Sequence, residues 1–143
     1  MPIAGIGMYR QVAQAWRKIY RENLEILRLR VEKWRKEKAI VRVDKPTRID
    51  RARRLGYKAK KGYIVVRVRL SRKGKRVKRP RSGRRPKHMG VVKIKPHVNY
   101  KETAMNRVRE KYPNMKVLNA YYLYKDGKHI WYEVILKDKN IKD

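Results

Sequence analysis

The sequence predicts an α+β fold: a small, mostly antiparallel four-stranded sheet covered by helices, with a long N-terminal helical segment and a basic internal arm. Three observations carry that prediction. Apolar residues recur at helical spacing over residues 8–38. Two β-branched runs and a hairpin pattern around Asp126-Gly127 supply four strands. Between them, residues 71–96 show no apolar period. With 143 residues, 41% of them hydrophobic, the chain suits one domain over residues 1–143 with a modest core.

In the first segment Met8, Val12, Trp16, Ile19, Tyr20, Leu24, Leu27, Val31 and Trp34 fall within roughly half the circumference of a helix. A break near Glu22–Asn23 would divide it into two helices, and the pattern leaves that open. Ala39–Val43 reads as the first strand. Pro46-Thr47-Arg48-Ile49-Asp50 then starts a short helix, with Thr47 able to cap it and Asp50 in its first turn. Gly56 is placed to close that helix in a left-handed conformation. Tyr63–Leu70 alternates as a strand, with Ile64, Val66, Val68 and Leu70 on one face and Tyr63, Val65, Arg67 and Arg69 on the other.

In the arm, ten of the sixteen residues from Arg72 to Lys87 are basic, and Gly74, Pro80, Gly83, Pro86, Gly90 and Pro96 interrupt helix and strand alike. Such a segment is expected to stay unfolded until a partner neutralises it. Asn99 and Glu102 form a capping box, Ala104, Met105, Val108 and Tyr112 an apolar helical face, and Pro113 a stop. Val117–Tyr124 and His129–Lys137 flank Asp126-Gly127, a two-residue turn whose glycine would take positive φ. Counting outward pairs Tyr121 with Tyr132 and Tyr122 with Trp131. The expected core joins Val66, Leu70, Val108, Tyr121, Val134 and Leu136.

Charge narrows the function. The net charge is +31, of which residues 51–101 carry +21, and that stretch contains no Asp or Glu. A block of this kind repels itself and calls for a polyanionic partner. A sequence pI near 10.9 favours nucleic acid over an anionic membrane. Without Cys there is no disulfide framework, thiolate metal site or Cys nucleophile. The longest apolar runs are too short to span a bilayer, and Met1–Met8 lacks the charged region of a signal peptide. The expectation is a soluble intracellular protein.

Arg48, Arg51 and Arg54 recur at three-residue spacing beside Arg53 and lead to Lys58, Lys60 and Lys61. Several guanidinium and ammonium groups on one side suit phosphate, since each releases a condensed counterion and arginine can bridge two oxygens. Arg67 and Arg69 either extend this surface or snorkel over a helix. The arm adds Arg72, Lys73, Lys75, Arg76, Lys78, Arg79, Arg81, Arg84, Arg85, Lys87 and His88. It reads as an RNA-ordered extension, against the alternative of an import-like signal or a disordered tail. Tyr57 and Tyr63 are candidates to stack on bases, whereas Trp16, Trp34, Tyr121 and Tyr132 read as core. His88, His97 and His129 have no ligand-like neighbours, so no metal or cofactor is expected. Asp126, Glu133 and Asp138 read as surface carboxylates paired with lysine. No catalytic set is recognisable, and no enzyme or small-molecule substrate is expected.

The run RARRLGYKAKKGYIVVRVRL (Arg51–Leu70) is more specific than charge. Together with Pro46-Thr47-Arg48, Lys116–Tyr122, Tyr132–Leu136 and Trp16-Arg17, it resembles the archaeal and eukaryotic type of large-subunit ribosomal protein called fifteen-e. The resemblance covers essentially the whole chain. It implies a cytoplasmic structural role in the ribosome, contact with large-subunit rRNA and neighbouring ribosomal proteins, no membrane, and a four-stranded antiparallel sheet backed by helices. Carried over by position, the rRNA-facing residues are Arg48, Arg51, Arg53, Arg54, Lys58, Lys60 and Lys61, with the arm behind them. Lys61 stands where the family often has Gln. The competing reading from charge is a DNA-compacting, chromatin-type protein.

Overall fold

The N-terminal apolar stripe folds as two helices. α1 runs Met8–Glu22 and α2 Leu24–Lys36, parted at Asn23, whose φ of −124° and ψ of 47° leave the helical region. α1 buries Ala13 and Trp16, and α2 buries Leu27, Val31 and Trp34. Met8, the first residue of the expected stripe, is 64% exposed. The computed structural model describes residues 7–72, 80–90 and 99–142. The expectations for Lys73, Lys75, Arg76, Lys78 and Arg79 lie outside the described residues.

Four strands form one sheet: β1 Ile40–Val43, β2 Tyr63–Ser71, β3 Met115–Lys125 and β4 His129–Asp138. Their order is β1-β2-β4-β3, and every neighbouring pair is antiparallel. β4 explains why helices lie on both sides. From Ile130 to Leu136 it is apolar apart from Glu133, so neither of its faces can meet water cheaply. α4, Tyr100–Lys111, covers one face, where Ala104 and Val108 pack with Val66, Leu70, Val134 and Leu136. α2 and the short α3, Ile49–Arg54, cover the other, where Val31, Trp34 and Ala52 pack with Leu123, Trp131 and Ile135.

The second layer corrects the expected core. Five of its six residues do meet under α4, but Tyr121 packs on the opposite face with Trp34 and Trp131. The reason is that β3 is irregular. Its register with β4 shifts between Val117 and Asn119 and again between Tyr122 and Tyr124. Each shift is a bulge that inserts one residue and turns the following side chains to the other face. Tyr122 therefore pairs with Tyr132, and Tyr121 with Glu133.

The hairpin turn also differs from its sequence reading. The ladder closes at Lys125 opposite Ile130, which centres the turn on Gly127-Lys128. Gly127 is not among the glycines with positive φ, and a Cβ there would meet nothing within 4 Å. Asp126 organises the turn instead. Its Oδ1 accepts from the N–H groups of Lys128 and His129 at 2.8 and 2.6 Å, and Arg35 of α2 pairs with Oδ2 at 2.9 Å.

Other local signals hold. Asn99 Oδ1 accepts from the Glu102 N–H at 2.8 Å and caps α4. Gly56, at φ +101°, ends α3, with Tyr57 N–H reaching Ala52 O and Gly56 N–H reaching Arg53 O in the paired pattern of a left-handed helix stop.

Two substitutions test this account. Val66→Ala, at a site with no exposure, should cost about 2 kcal/mol in denaturant unfolding. Gly127→Val should stay within about 0.5 kcal/mol of wild type, because neither φ nor space resists it. A large loss from Gly127→Val would restore the positive-φ turn.

Candidate nucleic-acid interface

α3 is six residues long and could not hold its shape alone. It is fastened from beneath. Thr47, just before it, donates its N–H to Glu133 Oε2 at 3.0 Å and its hydroxyl to Oε1. The capping role expected of Thr47 is thus replaced: Arg48 occupies the cap position without a side-chain cap bond, and Thr47 faces the sheet. Ala52 and Asp50 are buried, so Arg51, Arg53 and Arg54 are left on the outside.

Glu133 corrects a second expectation. It is fully buried rather than paired with lysine at the surface. On β4 it sits between Arg67 of β2 and Tyr121 of β3, its direct cross-strand partners. Tyr121 donates its hydroxyl to Oε2, and Arg67 Nε lies 3.9 Å from Oε1. Four neighbouring groups thus face one carboxylate, as burial of a charge requires. The signal was in the sequence: a lone Glu inside Trp131–Leu136 cannot avoid burial once both faces of that strand are covered.

The same geometry sorts the basic candidates. Arg67 stacks over Trp34 at 4.3 Å from the ring centroid and pairs with Glu37 at 3.1 Å. Arg69 Nη1 donates to the carbonyls of Arg35 and Glu37, closing the end of α2. Both side chains therefore play the structural part that the sequence left open. Arg48 joins them, since its guanidinium lies over Trp16 and Tyr20 at 5.5 and 5.2 Å and pairs with buried Asp50 at 3.4 Å. Its side chain is only 14% exposed.

By contrast, Arg51, Arg53, Arg54, Lys58, Lys60 and Lys61 are exposed. Among the described residues none of them makes an ion pair. They run continuously from α3 into the loop before β2. Arg53 is steadied over the Tyr9 ring at 5.1 Å, and Lys60 over Tyr63 at 5.7 Å. Arg72 marks the root of the arm, giving its N–H to Lys128 O at 2.9 Å and a guanidinium N–H to Asp126 O. The Tyr100 hydroxyl of α4 donates to Arg72 O at 3.2 Å. Arg81, Arg84, Arg85, Lys87 and His88 are all exposed, the last two in a short 3-10 turn, Pro86–His88.

Of the two stacking candidates, Tyr63 is 8% exposed and packed into the sheet, whereas Tyr57 is half-buried. Trp16, Trp34 and Tyr121 are buried, as core residues should be. Among the described residues no three His, Asp or Glu side chains gather to hold a metal ion, and no helix is long and apolar enough to cross a membrane. Lys45, which escaped the sequence reading, stands beside Lys60 and Lys61. Only the fold brings it there. A family model described as Ribosomal L15, of the L15e type, matches residues 7–143.

The buried carboxylate has a consequence for pH. Burial, and then the Glu133 charge, hold the Tyr121 hydroxyl protonated well above the ordinary tyrosine range. Below about pH 10 both folded and unfolded chains keep this proton, and the stabilisation is complete. As pH rises further the unfolded chain ionises first, and the contribution is progressively lost. Tyr121→Phe should cost about 1.5–3 kcal/mol at pH 7, the range for a hydrogen bond to a charged group. The gap between variant and wild type should narrow above about pH 10. Denaturant unfolding of both proteins across pH 7–11 measures this, and a constant gap would separate Tyr121 from the alkaline limb.

Proposed function

The chain belongs to the ribosomal L15e family, a family of structural constituents of the large ribosomal subunit, and we propose that it binds and stabilises folded rRNA there through α3, the loop after it and the basic arm. Family membership puts it in the ribosome with rRNA and ribosomal proteins around it, in a role that is in general structural rather than enzymatic.

One observation carries the finer reading. Six cations, Arg51, Arg53, Arg54, Lys58, Lys60 and Lys61, form an exposed run with no ion pairs among the described residues, the arginines on a short helix locked to the sheet through Thr47 and Glu133 and the lysines in the loop after it. Pre-positioned cations lose little freedom on meeting a phosphate backbone, and each one releases a counterion. Arg81, Arg84, Arg85, Lys87 and His88 extend the surface, and Lys73, Lys75, Arg76, Lys78 and Arg79 belong to the same proposed arm. Arg48, Arg67 and Arg69 contribute by shaping the scaffold beneath it.

A salt series with large-subunit rRNA tests this. If about eight to ten phosphates are engaged, log affinity against log salt should slope by about −6 to −9. Replacing Arg51, Arg53 and Arg54 with Ala should make the slope shallower by about two to three units. An unchanged slope would show that these side chains do not meet phosphate. Equal affinity for duplex DNA of matched length would favour the chromatin-type reading.

A further inference from the structure

A hollow of about 620 Å³ opens between α3 and the start of β2. Ile49, Tyr57 and Ala59 line it, and Lys45, Lys60 and Lys61 stand around it. None of these lysines makes an ion pair among the described residues, and Lys60 is held over the Tyr63 ring at 5.7 Å. Tyr57 packs on the inner core and is half-buried, so part of its ring remains open to the hollow. The volume lies within the range of sites that enclose a small planar group, roughly 300–1,000 Å³.

We propose that this hollow receives one unpaired nucleobase of the rRNA, turned out of its helix, with its ring against Tyr57 and its flanking phosphates on Lys60 and Lys61. The proposal rests on the rRNA-binding reading above and adds a subsite to it. An apolar, aromatic lining with cations around it matches the two halves of a nucleotide, a π-face and a charged backbone. A base still stacked in a duplex could not enter. A neutral side chain from a neighbouring protein fits less well, because the lining sets three ammonium groups against the single carboxylate of Asp44. Asp44, also in the lining, is placed to accept from an exocyclic amine or a ribose 2′-hydroxyl. Ile49 of α3 also lines the hollow, so the site adjoins the helix that carries the arginines.

The test is a salt series with the full chain and large-subunit rRNA, using Tyr57→Leu, Tyr57→Phe and Ala59→Leu. Ala59 is exposed, so a larger side chain there fills the hollow without entering the core. Tyr57→Leu and Ala59→Leu should each weaken binding by about tenfold at every salt concentration, within the range of one lost base–aromatic stack. Their salt slopes should equal that of wild type, since no cation is removed. Tyr57→Phe keeps the ring and should bind normally. If Ala59→Leu and a folded Tyr57→Leu both bind like wild type while the arginine variant flattens the slope, the hollow holds no base although phosphate binding stands. If the arginine variant leaves the slope unchanged, the interface beneath the proposal fails and the proposal fails with it.

Discussion

Burial of the Glu133 carboxylate constrains the rest of the structure. A charge with no solvent exposure must be met by donors from every side, and here four donor groups come from three separate segments. Arg67 approaches from β2, Tyr121 from β3, and the Thr47 N–H and hydroxyl from the loop before α3. The strand order, the β3 bulge that turns Tyr121 inward and the seat of α3 are thus tied to one group. Removing Arg67, its one charged partner, leaves the buried charge uncompensated, which costs more than the loss of a neutral donor.

This arrangement also divides the arginines. Glu37 and Glu133 both lie outside the acid-free stretch, yet both face Arg67 within it. Asp50 takes Arg48, and Asp126 takes Arg35. These four carboxylates pair with three arginines; the Glu37–Arg67 and Asp126–Arg35 pairs fasten α2 to the sheet. The cations left over, on α3 and the loop after it, make no ion pair among the described residues. The surface they form is strongly positive because residues 51–101 contain no acid and the buried carboxylates are spent on the scaffold arginines. Self-repulsion of such a surface destabilises the free protein and is relieved by an anionic partner.

The arm follows similar logic. Arg72 is bonded to the β3–β4 turn, and the Tyr100 hydroxyl of α4 is bonded to Arg72. The same turn receives Arg35 from α2. Asp126 thereby connects the helical layer, the hairpin and the root of the arm.

The sequence by itself determined the order of elements, the antiparallel sheet, the Asn99 cap, the Gly56 stop and the location of the charge. Each of these is a local property, set by side-chain period, by backbone freedom or by counting charges. The family resemblance, too, was readable in Arg51–Leu70. Only the tertiary structure decided which face each β3 side chain joins, because a bulge inserts a residue without a sequence mark in an aromatic run. It also decided the fate of Arg67 and Arg69, which the sequence leaves open, and of Arg48, which shares the three-residue spacing of Arg51 and Arg54. Whether an arginine faces water or an aromatic ring depends on residues from distant segments, such as Trp16, Trp34 and Glu133. Their meeting is a matter of strand register and helix seating, which no local pattern records.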